Sequence, residues 1–142
     1  MISTVAVGTD GSATAAEAVK VAAGIAQRFD AELVLVSAFQ ESGGAPIGHE
    51  SFSEEVQWAS SPSARVREIL ARAEEEQQRD GLTCRVLADE GDPAEVIIRL
   101  AQECDADLLV IGNKGMRRRV LGSVPNTVTH KAPCSVLVVK TT

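Results

Sequence analysis

Apolar positions fall into two rhythms that take turns along the chain. Four short runs are rich in β-forming residues, three of them nearly continuously apolar: Val5-Ala6-Val7-Gly8, Leu33-Val34-Leu35-Val36, Leu108-Leu109-Val110-Ile111 and Val136-Leu137-Val138-Val139. Continuous runs of this kind predict strands covered on both faces, as in parallel sheets. A fifth run, Thr83-Cys84-Arg85-Val86-Leu87, alternates in character. It reads as an edge strand, or one covered on a single face.

Between these runs the spacing changes to three and four. Ser12 can cap a helix whose apolar stripe is Ala15, Ala18, Val19, Ala22, Ile25, Ala26 and Phe29. Ser61-Pro62 opens a second helix, with Val66, Ile69, Leu70 and Ala73 on one face. Asp92-Pro93-Ala94-Glu95 combines an N-cap, a proline at the first helical position and an acid two residues later, ahead of Val96, Ile97, Leu100 and Ala101. Ser123 starts a last helix, which Pro133 bounds. The order β-α-β-loop-α-β-α-β-α-β predicts one α/β domain over residues 1–142. Its sheet is expected to be open and mostly parallel, with helices on both faces and right-handed connections. Ligands of such sheets bind beyond the carboxyl ends of the strands, where the strand order reverses. Gln40 to Ser60 lacks periodicity and reads as a long loop. Phe52 and Trp58 within it are read as folding over the helix layer or a partner subunit rather than touching a ligand.

Composition narrows the picture. Of 142 residues 44% are apolar, yet there are three Phe and one Trp, so Ala, Val, Leu and Ile must fill the core. A formal charge of −6 argues against non-specific nucleic-acid binding, which needs positive surface. No secretory segment and no run near the ~20 apolar residues of a membrane span is visible. Cys84, Cys104 and Cys134 show no CxxC spacing and read as small core residues in a reducing compartment, with the cytoplasm as the default location.

Two glycine-bearing segments carry the candidate chemistry. Gly8-Thr9-Asp10-Gly11-Ser12 follows the first strand, and Gly112-Asn113-Lys114-Gly115 follows the fourth, leading to Gly122-Ser123-Val124-Pro125-Asn126. Glycines at 112, 115 and 122 are expected to take positive φ and to let a ligand approach main-chain N–H groups. The first amides of the helix after Gly122 favour an anion such as phosphate. Ser123 either donates to that phosphate or caps its own helix. Asp10 either accepts from ribose hydroxyls, helps hold a metal ion, or bonds its own turn. Seen with the second glycine loop, the ligand role is favoured. His130 and His49 have no visible titratable partner and read as structural or surface residues. The run Glu74-Glu75-Glu76-Gln77-Gln78 reads as the wet face of a helix.

These segments in this order, with Gly91-Asp92-Pro93 between them and Ala132-Pro133-Cys134-Ser135-Val136-Leu137-Val138-Val139 at the end, resemble the universal stress protein family over nearly the whole chain. The resemblance implies a five-stranded parallel sheet of order 3-2-1-4-5, of the adenine nucleotide alpha hydrolase-like type. It further implies a homodimer paired through the last strand, Val136–Val139. In the branch that keeps both glycine loops it implies ATP or a related adenine nucleotide (ADP, AMP or cyclic AMP), which magnesium can accompany. Carried over, Gly8, Thr9 and Asp10 would lie near adenine and ribose, and Ala38 would offer backbone hydrogen bonds to adenine. Gly112 and Gly115 would flank ribose and phosphates, and Gly122, Ser123 and Val124 would meet the phosphate chain.

The chain departs from the family's pattern between Gly115 and Gly122, which enclose six residues where nine are usual. Three fewer residues span up to ~10 Å less, which predicts a tighter pocket better suited to a mono- or diphosphate than to a triphosphate. Lys114, Arg117, Arg118 and Arg119 there either neutralise phosphates or form a solvated basic turn. Pro125 supplies no N–H. Because GxxxxGK[ST] and GxGxxG are both absent and no base adjoins the phosphate position, no catalytic residue is assigned. A nucleotide-binding module in stress signalling, with an unidentified protein partner and no nucleic-acid or membrane role, is preferred. The alternatives are a slow ATPase or phosphotransferase and a dimeric scaffold without a ligand.

Overall fold

The strands form because their residues are β-branched or otherwise apolar and can be buried on both faces at once. In the computed structural model, which describes residues 1–41, 61–113 and 121–141, the strands are β1 (Thr4–Gly8), β2 (Glu32–Phe39), β3 (Cys84–Glu90), β4 (Leu108–Asn113) and β5 (Ser135–Lys140). They make one sheet of order β3-β2-β1-β4-β5, every neighbouring pair parallel. The described helices are α1 (Ala13–Phe29), α2 (Pro62–Arg79), α3 (Pro93–Glu103) and α4 (Ser123–Lys131). The expected alternation and strand order are both present.

Alternating side chains of each strand serve two separate cores. Val5, Val7, Leu33, Leu35 and Val110 pack with Ala18, Ala22 and Ala26 of α1 and Leu70 of α2. Ala6, Val34, Val36, Leu109 and Ile111 pack with Ala94, Val96, Ile97 and Leu100 of α3 and Val128 of α4. Alanines along α1 keep that helix close to the sheet, which is how a core with few aromatic residues reaches close packing.

Some sequence expectations need correction. Phe29 is 48% exposed, because it closes α1 just before Asp30 turns the chain away with φ 53°. The last strand is an edge and only partly covered on its second face; Val136 and Val138 pack against the α3–α4 side, while on the other face Val139 is buried and Leu137 stays 37% exposed. Gln77 is buried and the Gln78 side chain donates to the Cys84 carbonyl at 3.1 Å, so the glutamate-rich stretch of α2 is not wet throughout. The three cysteines are free, Cys84 and Cys104 buried and Cys134 half-buried. Burial, with the charges of Glu74 and Glu32 behind it, pushes the Cys84 thiol up to about 12. A thiol so hard to ionise is inert, as the structural reading requires. Phe52, Trp58 and His49 lie outside the described residues, and His130 is exposed. Among the described residues no helix is long and apolar enough to cross a membrane.

Two consequences can be measured. Gly24 lies inside α1 with open space where a side chain would stand, so Gly24→Ala is expected to stabilise the fold by about 0.5–1 kcal/mol in urea titrations. Asp107 accepts the Ser3 and Thr4 amides at 2.7 and 3.0 Å, and these bonds hold its carboxyl below the usual carboxylate value. Its stabilisation is therefore complete above the unfolded-state pKa and is lost as pH falls through the lowered folded value. Asp107→Asn should weaken the protein at neutral pH, and its acid-unfolding curve should approach that of the parent once the pH has fallen through the lowered folded value of the Asp107 carboxyl.

Candidate functional site

β1 ends before both of its neighbours. Its last partners are Val36 on β2 and Val110 on β4, yet β2 runs on through Ser37, Ala38 and Phe39, and β4 through Ile111, Gly112 and Asn113. The result is a notch in the carboxyl edge of the sheet, at the point where strand order reverses. It opens as a crevice of about 420 Å³, within the roughly 300–1,000 Å³ usual for small-molecule sites. Gly8, Thr9, Asp10, Ala38, Gly112, Gly122, Ser123 and Val124, all singled out from sequence, line it together. Lys114, Gly115 and Arg117, with Arg118 and Arg119, lie outside the described residues.

Buried polarity concentrates here. Of the four buried polar side chains among the described residues, Thr9, Ser37 and Asn113 line the crevice, and Gln77 alone does not. A larger groove of about 740 Å³ runs between α1 and α2, past Glu17, Lys20, Arg72, Glu76 and Asp80. Charges of both signs along two helix flanks suit a solvated furrow rather than a selective site, whereas the notch gathers strand ends and backbone amides.

The turn after β1 is held by its own side chains. The Thr9 N–H donates to the Val36 carbonyl at 3.0 Å, and Thr9 Oγ1 accepts from the Gly11 N–H at 3.2 Å. Asp10 Oδ1 accepts from the Ser12 N–H at 2.9 Å, so Asp10 does bond its own turn while also lining the crevice. Gly11 takes φ +81°, and a Cβ there would stand 2.9 Å from Ile69 Cγ2. Both facts demand glycine.

The other glycines serve differently from expectation. Among the described glycines positive φ occurs at 11, 81 and 91, not at 112 or 122; Gly122 has φ −64°. Close approach is what they provide. A Cβ on Gly112 would lie 3.3 Å from the Thr14 carbonyl oxygen, and one on Gly122 would lie 3.3 Å from Asn113 Oδ1. On Gly8 it would meet Ile97 Cδ1 at 3.2 Å.

Ala38 lies inside β2 rather than just past it. The Val36 carbonyl accepts from Thr9 on the β1 side, and the Phe39 carbonyl accepts from Gly91 on the β3 side. Strand alternation therefore turns the N–H and C=O of Ala38 toward β1, beyond the point where β1 has stopped.

The helix N-termini differ in what they offer an anion. Ser12 caps α1 at 3.1 Å from the Ala15 N–H, and Ser61 caps α2 at 3.2 Å from the Ala64 N–H. α3 carries the Asp92 carboxylate, 3.3 Å from the Glu95 N–H, and Pro93, which has no N–H. α4 has no side-chain cap of this kind. Its N-cap is Gly122, so Ser123 is the first helical residue and does not cap the helix, contrary to one of its two expected roles. The Gly122 N–H is taken by Asn113 Oδ1 at 2.9 Å, and Pro125 has none to give. Ser123 and Val124 keep the first-turn amides that have no helical acceptor, at the positive end of the helix dipole.

The Universal stress protein family profile matches residues 1–140. The chain belongs to that family. A universal stress protein of Mycobacterium tuberculosis is 37% identical over 143 residues, covering 98% of this chain and 97% of that one. Among solved structures, a universal stress protein in complex with cAMP shares 30% identity with TM-score 0.75, covering 99% of each chain. The universal stress protein UspA from Lactobacillus plantarum shares 25% identity with TM-score 0.76, covering 97% of each.

The sequence motif contains Asn113 without a role assigned to it, Ile97 was read only as part of the apolar stripe of its helix, and Ser37 and Thr14 were passed over. Two polar residues following the apolar runs of universal stress protein strands β2 and β4 were the available signal. The glycine accounting gives a test. Gly11→Ala should cost about 1–3 kcal/mol in chemical denaturation, since it adds both backbone strain and a clash with Ile69. An unchanged midpoint would remove that explanation.

Proposed function

We propose that this protein is a binding module for an adenine nucleotide, held in the crevice at the carboxyl ends of β1 and β4. The observation that carries the reading is the convergence on one notch of a helix N-terminus without a capping side chain and three of the four buried polar side chains among the described residues. The Ala38 N–H and C=O form a donor–acceptor pair that complements the amino group and ring nitrogen of adenine. Asp10 and Thr9 stand where ribose hydroxyls would follow, and the Ser123 and Val124 amides where phosphate would end. The 30%-identical relative in complex with cAMP supports the same ligand class.

Two open amides match one phosphate group better than a chain of three. Together with the six-residue spacing between Gly115 and Gly122, they favour AMP, cyclic AMP or ADP over ATP. Asp10 is the one carboxylate among the described residues lining the crevice, and it also serves the turn. We therefore assign it to ribose rather than to magnesium, and we assign the site to binding rather than turnover. The exposed apolar edge of β5 supports pairing with a second copy, since an unpaired strand edge invites association.

Thermal unfolding with AMP, cyclic AMP, ADP, ATP and GTP tests the reading. Adenine nucleotides should stabilise the protein by about 2.7 kcal/mol at a hundredfold excess over Kd, with GTP well behind. If no adenine nucleotide raises the midpoint, the assignment fails; if ATP binds tightest, the phosphate-number argument fails alone.

A further inference from the structure

Asn113 closes β4 and is fully buried. Three of its polar groups have evident places. Its N–H belongs to the strand, its main-chain carbonyl accepts from Thr141 Oγ1 at 3.0 Å, and its side-chain Oδ1 accepts from the Gly122 N–H at 2.9 Å. The fourth does not: Nδ2 is buried and finds no acceptor among the described residues. The orientation of the carboxamide is not arbitrary, because the Gly122 N–H can only donate and so must face the oxygen. Nδ2 is thereby left as a donor in a residue that lines the crevice.

A buried donor without a partner is costly, and native structures seldom keep one without a reason. Here the same side chain that holds the N-cap of α4 also carries an unpaired N–H₂ group, and it lines the same crevice as Ser123 and Val124. We propose that Asn113 Nδ2 donates to an oxygen of the ligand's phosphate and completes a three-donor anion cradle with the amides of those two residues. This inference rests on the nucleotide reading above and deepens it. It makes Asn113 a coupling residue: the acceptor end fixes where α4 begins, and the donor end reads the anion that α4 attracts. A neutral carboxamide suits the place, since it adds a donor without putting a charge at a fully buried position. It also gives glycine at position 122 a reason, because a Cβ there would stand 3.3 Å from Oδ1 and press on the carboxamide.

Asn113→Asp separates the two ends of the side chain. It keeps an acceptor for the Gly122 N–H and replaces the donor with a second oxygen. AMP and adenosine should be titrated calorimetrically into the parent protein and the variant. AMP affinity is expected to fall about tenfold or more, the scale of a lost hydrogen bond to a charged group, while adenosine affinity stays within about twofold. Equal losses for both ligands, or none for AMP, would overturn the proposal and leave Asn113 a structural clasp. A parent protein that binds neither ligand would instead overturn the nucleotide reading itself, and this inference with it. Should the variant fail to fold, the parent protein still decides. The Asn113 side-chain amide proton signals should move on addition of AMP but not of adenosine, and signals indifferent to AMP would refute the contact.

Discussion

The early end of β1 is the constraint on which the site depends. A central strand in a parallel sheet is hydrogen-bonded along both edges, and where it stops its neighbours are left with unpaired main chain on their inner edges. Here β1 turns away at Gly8 while β2 and β4 continue to Phe39 and Asn113. The order of winding enlarges the gap: the chain lays β2 and β3 on one side of β1 and then crosses to lay β4 and β5 on the other. The connection leaving β1 thus passes to the face that carries α1 and α2, and the helix after β4 packs on the face that carries α3 and α4, so among the described residues a notch is left between β1 and β4. The crevice is a product of topology before any side chain is considered.

This accounts for what the sequence disclosed and what it withheld. Strands and helices were legible because a core of Val, Leu, Ile and Ala must follow period two or period 3.6 to be buried. The helix starts at Ser12, Ser61 and Asp92 were legible because a cap side chain sits next to its own helix in sequence. The start of α4 at Ser123 was legible as well, but what holds its N-cap was not, because the partner of the Gly122 N–H is Asn113, nine residues earlier and at the end of another element. The lengths of β2 and β4 were underestimated for a related reason. Ser37 and Asn113 are polar, so each apolar run seems to finish before the strand does, although both residues are buried. Local reading found the segments that line the crevice but not the notch, which exists only through the difference in length between strands that are distant in sequence.

The glycines make a similar point. Their presence in two loops suggested unusual backbone angles, and only at Gly11 of the two candidate segments, among the described residues, is this so. At Gly112 and Gly122 the backbone is ordinary and the demand for glycine is steric, set by Thr14 and Asn113 across the crevice. A missing Cβ can serve either conformation or proximity, and sequence cannot tell these apart because proximity is a tertiary property.

The handling of helix amides links stability to ligand. Three helices meet their first-turn donors with serine, aspartate or proline from their own sequence, and those termini offer little to a solute anion. α4 is left different: no side chain caps it, and the Asn113 residue that holds its N-cap keeps an N–H₂ group with no acceptor among the described residues. Each buried donor left unpaired costs about 1–3 kcal/mol, a sizeable part of the 5–15 kcal/mol that holds a typical domain together. An anion that satisfies them returns that free energy as binding, and the stability of the fold then rises with ligand concentration by mass action. Under the proposed reading, that coupling would make the firmness of α4, and of whatever packs on it through Val124 and Val128, a function of how much nucleotide is present. A binding module needs no catalytic group to transmit such a change; it needs one helix whose N-terminus the chain leaves unfinished.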